Sequence, residues 1–244
     1  MSAAPSEQIG LGDHPVADPE VMNLYARTAN QYDRLNTLVS FGTSNWYRRR
    51  TIISLELPED ATLVDVGCGT GVLTMAAQRF LPESPSIVGV DPCPEMLAVA
   101  ERAGVRDTRT GSFSHIPVED GSRDAVVSGY AIRYVEDLDQ AFQEIRRVLR
   151  PGGRLVLLEM MVPRSAFWRG AMRFMIRSVG AWVFGLACGS LSVRDLLRHF
   201  WDSISSFAPR EVVLEKLENA GFTEVEYRPA GGLLGEFRAT APAG

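Results

Sequence analysis

The sequence predicts an α/β fold built on a doubly wound sheet, and three observations carry that prediction. Short apolar runs alternate with helical stretches from Thr62 onwards. A turn rich in glycine follows the first apolar run, and an acidic residue, Asp91, follows the second. Alternation of this kind is typical of βαβ units, in which helices join parallel strands.

The size and charge of the chain limit the alternatives. Its 244 residues suit one α/β domain, and a hydrophobic content of 45% is enough for a sizeable core. The formal net charge is -5, and the only dense basic run is Arg48-Arg49-Arg50, which we interpret as a solvated helix face. The sequence therefore predicts no nucleic-acid partner.

The cysteines and the apolar stretches indicate the compartment. Cys68, Cys93 and Cys188 have no metal-ligand spacing, so we predict no metal site and a reducing, cytoplasmic location. The most apolar stretch, Ser178 to Cys188, is roughly half of the ~20 residues that a membrane-spanning helix needs. We therefore predict no stable membrane insertion. An amphipathic lid and a helix that lies on a membrane surface both remain open.

The first part of the chain divides in two. Residues 1–18 have neither the basic flank nor the apolar centre of a signal peptide and predict a disordered tail. Residues 19–55 carry aromatic and apolar side chains at helical spacing, as at Tyr32, Leu35 and Leu38, and predict N-terminal helices. A single domain is predicted over residues 19–244.

Strands and helices alternate in the central part of the chain. The predicted strands are Thr62–Val66, Ser86–Val90, Val105–Thr110, Asp124–Ser128 and Arg154–Glu159. The predicted helices are Val72–Phe80, Glu95–Ala103 and Leu138–Leu149, the last closed by Pro151-Gly152-Gly153. These elements form the body of one parallel sheet.

A helical, aromatic-rich insertion at residues 163–207 interrupts the alternation. Beyond it, the sequence predicts a helix over Pro209–Asn219 and strands over Thr223–Arg228 and Leu233–Thr240. An insertion after the fifth strand lies at the carboxyl edge of the sheet, where open α/β folds bind ligands. We therefore interpret it as a helical lid over a substrate.

The glycine-rich turn predicts a nucleotide site. Gly67, Gly69 and Gly71 follow the first strand, and glycines there allow a ligand to touch the backbone. A dinucleotide site is the rival interpretation, but in that fingerprint the third glycine comes one residue later. Asp65 would repel a pyrophosphate, whereas it suits a ligand that carries an ammonium and a sulfonium. Charge complementarity therefore favours S-adenosyl-L-methionine.

Asp91 lies twenty residues after Gly71, at the tip of the second strand. A carboxylate at this place can accept hydrogen bonds from both ribose hydroxyls of an adenosine. Pro92 and Met96 are predicted to pack on the adenine. The alternative is that Asp91 only caps the helix that begins near Pro94.

Further motifs complete a resemblance to a known family. They are Gln31-Tyr32-Asp33-Arg34-Leu35-Asn36, Ser40-Phe41-Gly42, Trp46, Arg147 to Leu155, and Ala220-Gly221-Phe222. With the glycine turn and Asp91, the chain resembles class I methyltransferases, and most closely the ubiquinone/menaquinone-biosynthesis C-methyltransferases (UbiE/MenG type). The resemblance covers the chain from Tyr25 to Arg238.

The resemblance implies a Rossmann-like sheet of seven strands with the last one antiparallel. It also implies cofactor contacts from Thr70 and Asp91. Ser112 and Phe113 fall where the family usually has Asn or Asp followed by Ala, near the adenine. Gly129 replaces a family Ser, so any contact there is made by backbone.

The substrate side departs more from the family pattern. A Gly-Ile/Leu-Arg-Asn element is represented by Ala131-Ile132-Arg133-Tyr134, which keeps the arginine but replaces the asparagine by tyrosine. A Tyr-Leu-x-x-Ser segment is represented by residues 199–203, His-Phe-Trp-Asp-Ser. These changes indicate that the reacting ring is held differently from a respiratory quinone.

Carbon methylation of an aromatic ring requires removal of a proton from an OH or NH, and His199 is the predicted base. Arg133 is predicted to orient an oxygen or stabilise negative charge, and Tyr134 and Tyr25 to relay protons. Simple packing or a partly exposed helix position is the alternative for each. A flat acceptor is predicted to lie among Phe167, Trp168, Phe174, Trp182, Phe184 and Trp201.

Three hypotheses follow. The first is a methyltransferase of specialised metabolism that acts on carbon of an electron-rich small aromatic molecule such as a phenol, quinol or indole. The second is a demethylmenaquinone or ubiquinone ring C-methyltransferase. The third is a non-catalytic module that binds S-adenosylmethionine. The sequence leaves open carbon, nitrogen or oxygen as the methylated atom, and whether the chain forms a homodimer.

Overall fold

The computed structural model describes residues 43–162, 165–180, 201–230 and 234–243, together with positions 23, 26, 27, 29 and 199. The predicted tail at 1–18 and the proton-relay candidate Tyr25 lie outside the described residues, as do Trp182 and Phe184. Of the predicted lid, residues 165–180, 199 and 201–207 are described.

Strands and helices alternate in the described part of the chain. The strands are β1 Leu63–Val66, β2 Ile87–Asp91, β3 Thr108–Thr110, β4 Arg123–Gly129, β5 Leu149–Met160, β6 Thr223–Ala230 and β7 Leu234–Thr240. The helices are α1 Thr43–Ile53, α2 Val72–Phe80, α3 Pro94–Ala103, α4 Leu138–Val148, α5 Ala166–Phe174 and α6 Arg210–Asn219. A 3₁₀ turn spans Ile132–Tyr134, a π-helical turn spans Met175–Gly180, and residues 201–206 are helical.

The seven strands form one sheet in the order β3-β2-β1-β4-β5-β7-β6. The first five pair in parallel, and β7 runs antiparallel to both β5 and β6. The predicted Rossmann-like fold with one reversed strand is confirmed. The order reverses between β1 and β4, so the carboxyl ends of these two strands flank the crevice in which such sheets bind ligands.

Alternate side chains of the buried strands pack on opposite faces of the sheet. Val64 and Val66 of β1 belong to a core that includes α4 and α6. Leu63 belongs to a second core that includes α1 and α2. Asp65 points to the same side as Leu63, which places its carboxylate beneath α1 and α2.

The start of β5 differs from the prediction, in which Pro151-Gly152-Gly153 formed a turn outside any strand. The strand already begins at Leu149, which pairs with Arg123 across a register shift. Backbone bonds join Gly152 N–H to the Ala241 carbonyl and Ala241 N–H to the Gly153 carbonyl. The segment is therefore held as an irregular strand between two neighbours.

Helix α1 is fixed to the reversed strand by a buried polar cluster. Thr51 Oγ1 donates to Glu236 Oε1 at 2.7 Å, and Arg238 Nε donates to Glu236 Oε2 at 2.7 Å. Arg238 Nη1 also donates to the Ser54 carbonyl at 3.2 Å. Burial, together with the neighbouring Glu236, raises the pKa of Tyr47 in the same cluster. These contacts join an early helix to the last strand.

Candidate active site

The turn after β1 is shaped by close backbone approaches. Gly67 has a φ of +70°, and a Cβ built on it would lie 2.4 Å from Ala131 Cβ. The Gly67 N–H donates to the Val90 carbonyl at 2.8 Å. Gly69 also has a positive φ, +55°, but no atom lies within 4 Å of a Cβ built on it. The turn thus packs against β2 and against the segment after β4, and it leaves open space beside the Cα of Gly69.

Asp65 lies beneath this turn and is fully buried. Thr74 Oγ1 of α2 donates to its Oδ2 at 2.6 Å, whereas Oδ1 has no hydrogen-bond partner among the described residues. Burial raises the pKa of Asp65 to about 7, although Thr74 and Arg48 lower it. Because the carboxylate is costly to ionise without a further positive charge, it is suited to a cationic ligand.

The interpretation of the basic run Arg48-Arg49-Arg50 as a solvated helix face is wrong for Arg48. Arg49 and Arg50 are exposed, but Arg48 is buried, with its guanidinium carbon 4.9 Å from the centre of the Tyr130 ring. Its Nε lies 3.5 Å from a Cβ built on Gly129. A helical signal could have shown this, because Tyr47, Arg48, Thr51 and Ile52 share one face of α1, whereas Arg49 and Arg50 lie on the outward side.

Asp91 lies at the end of β2 and holds two loops together. Gly69 N–H donates to its Oδ2 at 2.8 Å, and Cys93 N–H donates to its Oδ1 at 2.9 Å. Burial raises the pKa of Asp91 to about 6. Pro92 is half-buried, and Met96 is buried in a small cluster with Cys93 and Ala29. The carboxylate thus bridges the two loops, whereas no side chain among the described residues caps the first turn of α3, so the predicted alternative of a helix cap is wrong.

The other predicted cofactor residues lie around the same turn. Gly71 caps the start of α2, and Thr70 beside it is buried. Phe113 is buried, with its ring 3.5 Å from a Cβ built on Gly67. Ser112 Oγ lies 2.8 Å from Ser114 Oγ, and Gly129 ends β4. The structure therefore brings these residues to the carboxyl edge of β1, β2 and β4.

A second polar group lies at the carboxyl ends of β4 and β5. Arg133 Nη1 donates to Glu159 Oε1 at 2.7 Å, and neither side chain has exposed surface. Burial raises the pKa of Glu159, while Arg133 and the Met160 N–H lower it. Since Arg133 is enclosed, it does not present its guanidinium to an open surface in this conformation.

Arg133 connects this ion pair to the helical residues at 201–206. Its Nε donates to Ser203 Oγ at 3.2 Å, and its Nη2 donates to the Tyr134 hydroxyl at 3.3 Å. The Tyr134 hydroxyl and Ser203 Oγ are 3.3 Å apart. The rings of Tyr134 and His199 stack, with centroids 5.9 Å apart and an interplanar angle of 11°. The structure thus brings three predicted residues, His199, Arg133 and Tyr134, into one group.

The two groups adjoin each other through the segment after β4. Ala131 touches the glycine turn, and Arg133 follows two residues later. Tyr130, which the sequence interpretation missed, has a φ of +65° and donates its backbone N–H to the Leu158 carbonyl at 2.8 Å. A left-handed tyrosine is a strained position of the kind that clusters at ligand sites. Sequence alone carries no signal for such a backbone angle.

The aromatic residues of the insertion do not behave as one set. Trp201 is buried. Phe167, Trp168 and Phe174 are largely exposed, so the prediction that these three enclose an acceptor is wrong for this conformation. The described residues contain no helix that is long and apolar enough to cross a membrane.

The cradle at the switch point fits S-adenosylmethionine. Oδ1 of Asp65 is a buried acceptor without a partner among the described residues, and the space beside the Gly69 Cα is open. The fold agrees: a methyltransferase structure from Thermotoga maritima superposes with a TM-score of 0.62 at 21% identity, covering 90% of this chain and 99% of that one. The sheet order and the cradle define an S-adenosylmethionine-dependent methyltransferase.

Comparisons with known sequences identify the family to which the chain belongs. A profile of the ubiE/COQ5 methyltransferase family matches residues 14–239, and the chain belongs to that family. The demethylmenaquinone methyltransferase of Chlorobaculum tepidum is 32% identical over 214 residues, which are 86% of each chain. The 2-phytyl-1,4-naphtoquinone methyltransferase of Thermosynechococcus vestitus is 30% identical over 221 residues, covering 88% of this chain and 96% of that protein.

Proposed function

We propose that this methyltransferase transfers a methyl group to a ring carbon of a reduced, prenylated quinone. The relatives support this assignment, since those quoted above are named for demethylmenaquinone and for 2-phytyl-1,4-naphtoquinone. They favour the second hypothesis over an acceptor from specialised metabolism. The predicted cytoplasmic location and homodimer remain predictions.

The observation that carries the proposal is the stacked pair of Tyr134 and His199 beside the buried Arg133–Glu159 ion pair. A quinol carbon becomes nucleophilic when a ring hydroxyl loses its proton, because the negative charge is shared with that carbon. As the S–CH3 bond breaks and the C–CH3 bond forms, the ring carbon then loses its hydrogen as a proton and the hydroxyl regains one, so the other products are S-adenosylhomocysteine and one proton. His199 is the base in this proposal, since imidazole titrates near neutral pH. Tyr134 fixes the plane of the imidazole by stacking on it.

Arg133, Glu159 and Ser203 act as positioning residues. Glu159 holds the guanidinium from one side, and the guanidinium donates to both Ser203 and Tyr134 on the other. This arrangement fixes the phenol of Tyr134 and the helical segment that follows His199.

The cofactor side of the site has separate tasks. When bound, S-adenosylmethionine supplies an electrophilic methyl group on a sulfonium. The carboxylate of Asp65 and the open space beside Gly69 would hold its charged amino acid end, and Asp91 would accept hydrogen bonds from its ribose. The close contact of Gly67 with Ala131 keeps this cradle beside the acceptor group.

The test is a methyl-transfer assay with purified enzyme, labelled S-adenosylmethionine and a 2-prenyl-1,4-naphthoquinol with a short prenyl chain. We expect methylation at a ring carbon under reducing conditions and none when the quinone is oxidised, because only the quinol has a hydroxyl proton to remove. Turnover that is equal in both redox states would overturn the role of deprotonation.

A second candidate is C-methylation of a phenol, quinol or indole in specialised metabolism. Tyr134 favours it, since the family pattern has asparagine at this position and the stacked ring leaves a different surface for the acceptor. The same assay with a panel of such rings discriminates the two. Methylation of the panel without methylation of the prenylated naphthoquinol supports the second candidate, and cofactor binding without any turnover supports a non-catalytic module.

A further inference from the structure

Helix α5 and the turn that follows it carry large apolar side chains that point to solvent. Phe167 is 74% exposed, Trp168 63%, Phe174 62% and Met175 58%, whereas Met172 is buried. Phe167 and Trp168 meet edge to face with their centroids 5.4 Å apart. A contiguous apolar surface of this kind marks contact with another apolar phase.

The helix separates these side chains from its arginines. At about 100° per residue, Phe167 and Phe174 lie on one line of the helix, and Trp168 and Met175 lie on the next. Arg169 and Arg173 are both exposed and share another line, one turn apart. The helix is therefore amphipathic, with its apolar side outward.

The charge of the surrounding sequence identifies the partner. Between residues 160 and 194 there are five arginines and no acidic residue, in a chain whose net charge is -5. A phospholipid surface that carries anionic headgroups offers negative charge above an apolar layer, and so matches both properties. A nucleic acid offers the charge without the apolar layer, and the same face of a second copy offers an apolar surface but brings the same arginines instead of negative charge.

We propose that α5 lies flat on an anionic phospholipid membrane, with Phe167, Trp168 and Phe174 in the interfacial layer and Arg169 and Arg173 at the headgroups. Tryptophan and arginine are both common at this depth. The proposal does not depend on the identity of the methyl acceptor, because it rests on the exposure and the charge of this segment.

The test is co-sedimentation of the full chain with vesicles of phosphatidylcholine alone and of phosphatidylcholine with phosphatidylglycerol. We expect binding to the anionic vesicles only, weakened by salt. Each of Arg169→Gln and Arg173→Gln should lower the partition coefficient about fivefold. Each of Phe167→Ser and Trp168→Ser should lower the partition coefficient about tenfold or more, since the substitution removes a large apolar area that the membrane would bury.

Two matched controls come from elsewhere in the chain. Ile53→Ser removes an exposed apolar side chain of α1, and Arg228→Gln removes an exposed arginine of β6. Neither should change vesicle binding, and calorimetry with S-adenosylhomocysteine checks that every variant is folded. The proposal is overturned if neither vesicle binds, if both bind equally, or if ultracentrifugation shows a dimer that the α5 variants dissociate.

Discussion

Arg133 and Glu159 form an ion pair with 2.7 Å between Nη1 and Oε1, although both side chains are completely buried. Removing one partner leaves an uncompensated buried charge, which costs about 3–5 kcal/mol. We expect Glu159→Gln to lower the free energy of unfolding by this order and to lower kcat, with little change in cofactor affinity. Chemical denaturation and steady-state kinetics measure the two effects.

The double variant Arg133→Met, Glu159→Leu separates stability from positioning. Apolar replacement of both partners should restore stability, because no charge is left buried. Activity should stay low, since the guanidinium no longer donates to Tyr134 and Ser203. Recovery of full kcat along with stability would show that the pair is only structural.

His199→Ala should lower kcat by about 10²–10⁴-fold, the range expected for a general base. It should also remove the loss of rate at low pH, since the group that must be deprotonated is gone. The measurement is kcat against pH with the quinol acceptor. His115→Ala is the matched control, because His115 is exposed and lies outside the stacked pair. An unaltered pH profile in His199→Ala would remove His199 from the mechanism.

Asp65→Asn should stabilise the protein at pH 8. In the folded state the Asp65 carboxyl has a pKa of about 7 and keeps its proton up to there, whereas in the unfolded state it loses the proton near its ordinary pKa of 3.8. The free energy of unfolding of the wild type therefore falls by about 2–4 kcal/mol as pH rises from about 4 to about 7, whereas that of the variant does not. Thermal unfolding at pH 5 and pH 8 without cofactor gives the difference. An equal rise in the unfolding temperature of the variant at both pH values would show that Asp65 is not protonated in the folded state.

Arg48→Gln should weaken cofactor binding at neutral pH by about threefold to tenfold. Arg48 lowers the pKa of Asp65, so its removal leaves less of the carboxylate ionised for a cationic ligand. Calorimetric titration from pH 6 to pH 8 should show the affinity recovering as pH rises. Arg49→Gln, one residue along and exposed, is the control and should bind as the wild type does.

Gly67→Ala should abolish cofactor binding while leaving most of the fold intact. The new Cβ would lie 2.4 Å from Ala131 Cβ and would push the two halves of the site apart. Gly121→Ala is a matched control, because Gly121 also has a positive φ, +56°, but no neighbour within 4 Å. Both variants bear the backbone strain of about 1 kcal/mol, so only the clash differs between them. Equal affinities in the two variants would refute this account of the turn.

Much of the fold could be predicted, because β1, β2 and β4 are short, mostly apolar runs bounded by turn residues, which are typical of buried parallel strands. The helix over Val72–Phe80 has the predicted bounds. The start of β5 was missed, since Pro-Gly-Gly is typical of a turn and only pairing with Arg123 and Ala241 holds it as strand.

The cofactor turn could be located from sequence because spacing alone determines it. The network around Arg133 could not, because Glu159 and Ser203 lie 26 and 70 residues away from Arg133 in the chain. Contacts of that range depend on the strand order. Arg48 was misjudged for a different reason: the three arginines were interpreted as one face, whereas helical spacing puts Arg48 on the buried face with Tyr47 and Thr51.

The polar cluster that joins Thr51 to Glu236 has a consequence for biosynthesis. Helix α1 leaves the ribosome early, yet the strand that fixes it is synthesised after every other strand and inserts between β5 and β6. The hydrogen bonds that fix α1 to β7 therefore form only after translation has passed Arg238, although α1 can pack against α2 before that. Stabilisation by the methyl donor through Arg48 is then greatest once β7 has inserted.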